Sequence, residues 1–192
     1  MAGGNKRTGL IGAAGEYHVA AQLSQRGWLA TITIKNSPGT DVLAQHAEKG
    51  VLVAIQTKTT EIASQGWILG SKDEAPTDRD DCWYVLVGMN GEANRPDFYV
   101  VPRNHVSAHL YVGHQKWLRT PGKDGKVHQD SGMRNIYPPE VHAYKEDWAA
   151  LLEPTTARPY ALPDSFVTYA AEVGLPDGHP DAVLFGATTL GT

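Results

Sequence analysis

Two short apolar segments stand close together early in the chain. They are Asp41-Val42-Leu43-Ala44-Gln45 and Val51-Leu52-Val53-Ala54-Ile55-Gln56-Thr57-Lys58, joined through Glu48-Lys49-Gly50. Alternating residues on both sides of a polar, glycine-containing turn predict a β-hairpin. With Lys49-Gly50 as a two-residue loop, Glu48 and Val51 flank the turn and Asp41 falls opposite Lys58. Side chains alternate between faces, so Asp41, Leu43 and Gln45 share one face with Lys58, Gln56, Ala54 and Leu52. Val42, Ala44 and His46 share the other with Thr57, Ile55, Val53 and Val51, and that apolar set belongs in a core. A loop one residue longer or shorter would turn Asp41 to the wrong face. The polar end has two readings: an ordinary Asp–Lys cross-strand pair, worth a fraction of a kcal/mol, or oxygen ligands beside an amine, which suit a hard divalent cation and a phosphodiester.

The segment Ile11–Arg26 has helical periodicity, with Ala13, Glu16, Val19, Ala20 and Leu23 on one face and Gly27 as a stop. Glu16 is the acid on that apolar stripe. A buried carboxylate is costly unless paired or bound to a cation; at the stripe edge it reaches water. Further on, Cys82–Gly88 and Asp97–Val101 read as strands that extend the sheet, with Asn90-Gly91 as a turn between them. Trp67-Ile68-Leu69-Gly70 reads as a short strand within a long loop, Asn104–Tyr111 as a helix, and Lys116–Asp130 as a loop or hairpin. Glu140–Leu152 reads as a helix with Val141, Tyr144, Trp148 and Leu151 on one stripe, and Asp164–Val173 as a short helix.

Taken together, a helix acid (Glu16), an acid after a turn (Asp41) and Gln56-Thr57-Lys58 closing a strand resemble the PD-(D/E)xK nuclease superfamily. The similarity covers about Gly9 to Val106. The resemblance implies an α/β fold with a central mixed β-sheet flanked by helices, a restriction-endonuclease-like core of α-β-β-β-α-β type. It also implies a metal-dependent endonuclease acting on DNA, with RNA not excluded. Asp41 would be the motif acid, Lys58 the lysine that positions or activates water, and Glu16 the helix acid. Mg²⁺ (or Mn²⁺) would be held by Glu16, Asp41, Gln56 and the Thr57 carbonyl. Two departures stand out: Thr40 precedes Asp41, with Pro38 displaced upstream, and Gln56 offers a neutral oxygen where the motif has an acid. The second matches a Gln-x-Lys branch of the superfamily, and it keeps open a catalytically inactive nuclease-fold module that binds nucleic acid or a partner protein. Cutting both strands of a duplex makes a homodimer plausible.

Charge sharpens the picture locally. The formal net charge is −4, which argues against a generally sticky nucleic-acid binder. Residues 103–134 nevertheless hold 6 Lys/Arg against 2 Asp/Glu. Arg103, Lys116, Arg119, Lys123, Lys126 and Arg134 therefore form a candidate phosphate-tracking surface, or a solvated basic loop. Trp117, within that segment, is the candidate base-stacking tryptophan. A single cysteine, Cys82, excludes an internal disulfide and a Cys-rich zinc site. No apolar run approaches the roughly 18 residues of a membrane span, and the polar start has no signal core, so the expectation is a cytoplasmic protein without membrane contact. His105-x-x-x-His109 lacks a third zinc ligand nearby. Gly9-x-x-Gly12-x-x-Gly15 lacks the Gly-Lys-Ser/Thr ending of a phosphate loop and reads as small residues for close helix packing. The expected organisation is a domain over 1–153 and a Pro/Gly-rich extension over 154–192 that packs on the domain, wraps a partner chain or stays mobile.

Overall fold

The structure is a computed structural model that describes residues 3–34, 37–91 and 94–185. Helix α1 (Gly3–Ser24) leads into strands β1 (Trp28–Ile32), β2 (Val42–His46) and β3 (Leu52–Thr60). A crossover carrying β4 (Trp67–Gly70) and a 3-10 turn (Ser71–Glu74) leads to β5 (Cys82–Gly88) and β6 (Asp97–Pro102). Helix α2 (Arg103–Arg119), β7 (Met133–Ile136), α3 (Asp164–Val173) and the short α4 (Ala182–Phe185) follow. The main sheet has the order β1-β2-β3-β5-β6, antiparallel except for the parallel pair β3–β5; β4 and β7 form a small antiparallel sheet.

Alternation in the strands builds two cores, one on each face of the sheet. On one face, Val19 and Leu23 of α1 pack with Val42, Ala44, Val53, Ile55, Val85, Val87, Phe98 and Val100. On the other, Val106 and Leu110 of α2 pack with Tyr84, Leu86, Tyr99 and Val101. Gly15 sets the approach of α1: a Cβ there would overlap Thr59 Oγ1, so close helix packing holds for this glycine. Gly9 and Gly12 face open space.

The hairpin register differs from expectation. Val42 pairs with Ile55, Leu43 with Ala54, and Gln45 with Leu52. The loop is four residues, Ala47–Gly50, closed by Gly50 N to His46 O (2.9 Å) and His46 N to Val51 O (2.8 Å). Gly50 sits at φ +69°, a conformation glycine adopts without strain, and that lets the longer loop close. The pairing slides by two residues and ends at Val42–Ile55; Asp41 lies just before the ladder and its amide also donates to Ile55 O, so it is not the partner of Lys58. An even shift preserves the faces, and the expected division into core and outer side chains survives.

The expected helix Glu140–Leu152 is instead two 3-10 segments, Pro138–Tyr144 and Trp148–Leu152. Between them Lys145 bridges to Tyr99 on the edge strand β6, Glu146 N donates to Phe98 O at 2.8 Å, and Glu146 takes φ +58°. The chain thereby turns around the sheet edge: Val141 and Tyr144 enter the α2-side core, Trp148 and Leu151 the α1-side core. Helix α2 runs eight residues beyond Tyr111, so the expected loop starts only after Arg119. Residues 154–185 pack on the domain through Leu162, Phe166 and Ala170; 186–192 lie outside the described residues. No helix among the described residues is long and apolar enough to cross a membrane.

Candidate active site

Asp41 is fixed from both sides at the point where β2 leaves β3. Its amide donates to Ile55 O (2.8 Å) and its carbonyl accepts from Thr33 N (2.9 Å). The next ladder acceptor in this register would be Thr40 O, but Thr33 Oγ1 donates to that carbonyl at 2.7 Å. Asp41 Oδ2 takes its place and accepts the Thr57 amide at 2.7 Å. In an extended strand the N–H and C=O of one residue project to the same side. The Thr57 carbonyl therefore projects to this same edge, beyond the last β2–β3 pair. Among the described residues neither that carbonyl nor Asp41 Oδ1 has a hydrogen-bond partner. The result is a notch, rimmed by a carboxylate oxygen and a main-chain oxygen.

Gln56 and Lys58 stand beside the notch on the α2 side. Gln56 is buried, and its Oε1 accepts from Arg103 Nη1 at 3.4 Å. Lys58 Nζ lies 3.9 Å from Oδ2 of Asp73. Asp73, in the 3-10 turn, also accepts from Tyr84 Oη (2.7 Å) and Gly70 N (2.8 Å). Burial, reinforced by the charge of Asp73, pushes the Tyr84 phenol well above its ordinary range, so it remains a donor to that carboxylate. Arg103 Nη1 reaches Tyr84 Oη as well, at 3.3 Å. A cleft of about 370 Å³ opens here, lined by Gly39, Thr40, Gln56, Asp73 and the cations Lys72, Arg79 and Arg103.

Glu16 is set differently. Gly15 and Val19 of α1 face Thr59 and Ile55, the sheet face opposite to Gln56 and Lys58. Glu16 is half-buried at the flank of that stripe. The structure thus sets Asp41 against the Thr57 amide, with Gln56 and Lys58 on either side of Thr57 along β3, whereas Glu16 lies on α1, which packs on the other face. The strand edge that β2 leaves open along Thr57–Thr60 is the passage between the two faces. Thr57 Oγ1 and Thr59 Oγ1, both buried on the α1 side of that edge, have no hydrogen-bond partner.

Among the described residues no cluster of three His, Cys, Asp or Glu side chains is disposed to hold a metal ion. The donors at the notch are of another kind: one carboxylate, one main-chain carbonyl and one amide oxygen. An all-oxygen set with two uncommitted oxygens fits a hard cation that keeps several waters.

The basic segment divides. Arg103 stands in the cleft. Lys116, Arg119, Lys123 and Lys126 are exposed, at or beyond the far end of α2, about 24 Å along the helix axis from Arg103 in the case of Arg119. Lys116 lies over Tyr169, 3.7 Å from the ring centre, and Lys126 pairs with Asp124 at 2.6 Å. Arg134 is a correction: its side chain is 5% exposed and is tied to Glu74, so it tracks no phosphate. Trp117 is already stacked on His128, with ring centres 4.1 Å apart. His105 and His109 are engaged by different side chains: His105 Nδ1 meets Tyr144 Oη at 2.9 Å, and His109 Nε2 lies 3.4 Å from Glu140. Asp73 and Tyr84 had no sequence signal of their own. Asp73 lies in a polar loop, and only the parallel β3–β5 register places Tyr84 beside Gln56.

Comparison of the sequence with family models and with curated proteins returns no match. Among solved structures, a bacterial homing endonuclease, I-Ssp6803I, is similar with a TM-score of 0.50 and 14% identity, over 79% of this chain and 97% of its own. Hjc, a Holliday junction resolvase from the archaeal hyperthermophile Archaeoglobus fulgidus, is similar with a TM-score of 0.43 and 12% identity, over 73% of this chain and 94% of its own. At this identity the likeness to the homing endonuclease is one of fold: an α/β domain with a mixed central sheet flanked by helices.

Proposed function

We propose that the protein is a divalent-metal-dependent nuclease that hydrolyses phosphodiester bonds in DNA, a Gln-x-Lys member of the PD-(D/E)xK superfamily. The observation that carries this reading is the notch: Asp41 Oδ2 accepts the Thr57 amide, which sets this carboxylate against the strand segment that carries Gln56 and Lys58. Asp41, the Thr57 carbonyl and Gln56 would hold Mg²⁺ or Mn²⁺, and Glu16 would reach them past the open edge of β3. When bound, such an ion polarises the phosphate and lowers the pKa of a coordinated water. Lys58 orients the attacking water and stabilises charge on the phosphoryl oxygens. Arg103, in the cleft, binds the phosphate backbone, and Arg119, Lys123 and Lys126 contact it further along. A symmetric dimer would supply one site per strand of a duplex.

A second reading, a module that binds nucleic acid without cutting it, is favoured by one feature. Gln56 brings no charge to the metal and already accepts from Arg103. Cleavage of plasmid and single-stranded DNA in Mg²⁺ or Mn²⁺ decides between the two. The nuclease reading expects cleavage by the wild type, and its loss in Lys58→Ala and Asp41→Ala with folding retained. A wild type that binds DNA in a salt-sensitive way but leaves it intact with either metal supports the module.

A further inference from the structure

The face that presents Gln56 and Lys58 has two neighbours with no part in the proposed metal shell. The parallel register sets Tyr84 beside Gln56 and Leu86 beside Lys58. The crossover then lays Asp73 over them. Asp73 is 2% exposed, and a carboxylate that deep requires partners. It has two neutral donors, the Tyr84 hydroxyl on Oδ1 and the Gly70 amide on Oδ2. Its one ion pair among the described residues is with Lys58. Both oxygens are thus engaged by protein donors, which argues against Asp73 as a substitute for the acid missing at position 56. Its charge acts on the lysine instead.

The contacts form a chain rather than a pair. Lys58 faces Asp73, Asp73 accepts from Tyr84, and Arg103 spans Tyr84 Oη and Gln56 Oε1. Both ends of Gln56-Thr57-Lys58 are therefore tied into one network, with the buried carboxylate as its anchor. A lysine side chain has four rotatable bonds and is ordinarily mobile. Here its ammonium has a fixed counter-charge supplied from a separate loop.

We propose that Asp73 is a positioning residue: it holds the Lys58 ammonium in the orientation needed at the scissile phosphate. The catalytic consequence rests on the nuclease reading above, whereas the restraint on Lys58 does not. Asp73→Asn keeps size and acceptor capacity but removes the charge, so it is the variant of choice. Two measurements are made on the full chain. The first is NMR of the Lys58 ε-methylene, assigned with Lys58→Arg. Its two protons are inequivalent in the wild type and merge in Asp73→Asn as the side chain becomes mobile. The second is steady-state cleavage in a double-mutant cycle with Lys58→Ala. Asp73→Asn is expected to lower kcat roughly 10- to 100-fold, the scale of a misplaced catalytic group. KM and duplex binding in Ca²⁺ should stay unchanged, and no further loss should appear in the Lys58→Ala background. Equal losses in both backgrounds, or an unchanged ε-methylene signal, overturn the proposal. If the wild type cleaves nothing, the nuclease reading falls, and the NMR signal alone decides whether Asp73 restrains Lys58.

Discussion

Gly15→Ala should change the sign of its effect according to the residue at position 59. Gly15 lies inside α1, where helix propensity alone favours Ala by about 0.8–1 kcal/mol. The structure opposes this. A Cβ at Gly15 would overlap Thr59 Oγ1 and would stand 3.0 Å from Thr59 Cβ and Cγ2. Rotating the threonine exchanges one clash for another, so the helix or the strand must give way, and such overpacking costs about 1–3 kcal/mol. The net expectation is a loss of roughly 1 kcal/mol, or about 2–4 °C in Tm for a chain of this size. Thr59→Gly removes Cβ, Cγ2 and Oγ1, the last of which is buried without a partner. In that background Gly15→Ala should gain up to about 1 kcal/mol from propensity. Urea denaturation of the four proteins measures the cycle directly. The same sign in both backgrounds would refute the contact, and with it the account of how α1 is seated on β3. Glu16 follows Gly15, so the cycle also reads function: on the nuclease reading, the clash displaces the helix acid and lowers cleavage in the wild-type background only.

Arg134→Met should destabilise rather than weaken DNA binding, because it strands Glu74 in a nearly buried pair. The expected loss is about 3–5 kcal/mol. By contrast, Arg119→Ala with Lys123→Ala should flatten the dependence of log affinity on log salt by about 0.9 for each phosphate that is no longer neutralised; an unchanged melting temperature in Arg134→Met would restore it to the candidate phosphate surface. The third prediction concerns acid. His105 is held down to about 3 by burial, with His179 and Arg158 adding to the effect, against about 6.5 in an unfolded chain. Between those values the unfolded state binds a proton that the native state refuses. The contribution is therefore complete above about pH 6.5 and falls by about 1.4 kcal/mol per pH unit on acidification toward 3. Denaturation series from pH 4 to 7 should show that much less slope in His105→Gln; parallel curves would exclude His105 as the source.

The elements legible from sequence are those whose pattern is local. Cys82–Gly88 is a continuous apolar run buried on both faces, and it is a strand over those residues. Asp164–Val173 lies between Pro163 and Gly174, and it is a helix with those bounds. The failures have a common physical form: a long-range contact overrides a local pattern. Val141, Tyr144, Trp148 and Leu151 share a helical stripe in sequence, yet all four are buried in two different cores because Lys145 and Glu146 pair with the edge strand. Arg134 is indistinguishable from Arg119 in sequence; only the fold supplies Glu74 and removes it from the surface.

The site was legible in its residue types and not in its partners. Parity protected the hairpin reading over Val42–Gln45: the loop grew by two residues rather than one, so the core and outer faces of the paired residues are those expected. Gln56 reads in sequence as a weakened acid. In the cleft it has a further meaning, because Arg103 lies against it. A carboxylate at this position would form an ion pair with that guanidinium, competing at once with a metal ion and with an incoming phosphate. With Gln56 neutral, Arg103 would keep its charge for an incoming phosphodiester, whose single negative charge would offset half that of a divalent cation. On the proposed function, the neutral side chain at position 56 and the arginine beside it are therefore one arrangement, and Gln56→Glu should be judged together with Arg103 and not as the repair of a degenerate motif.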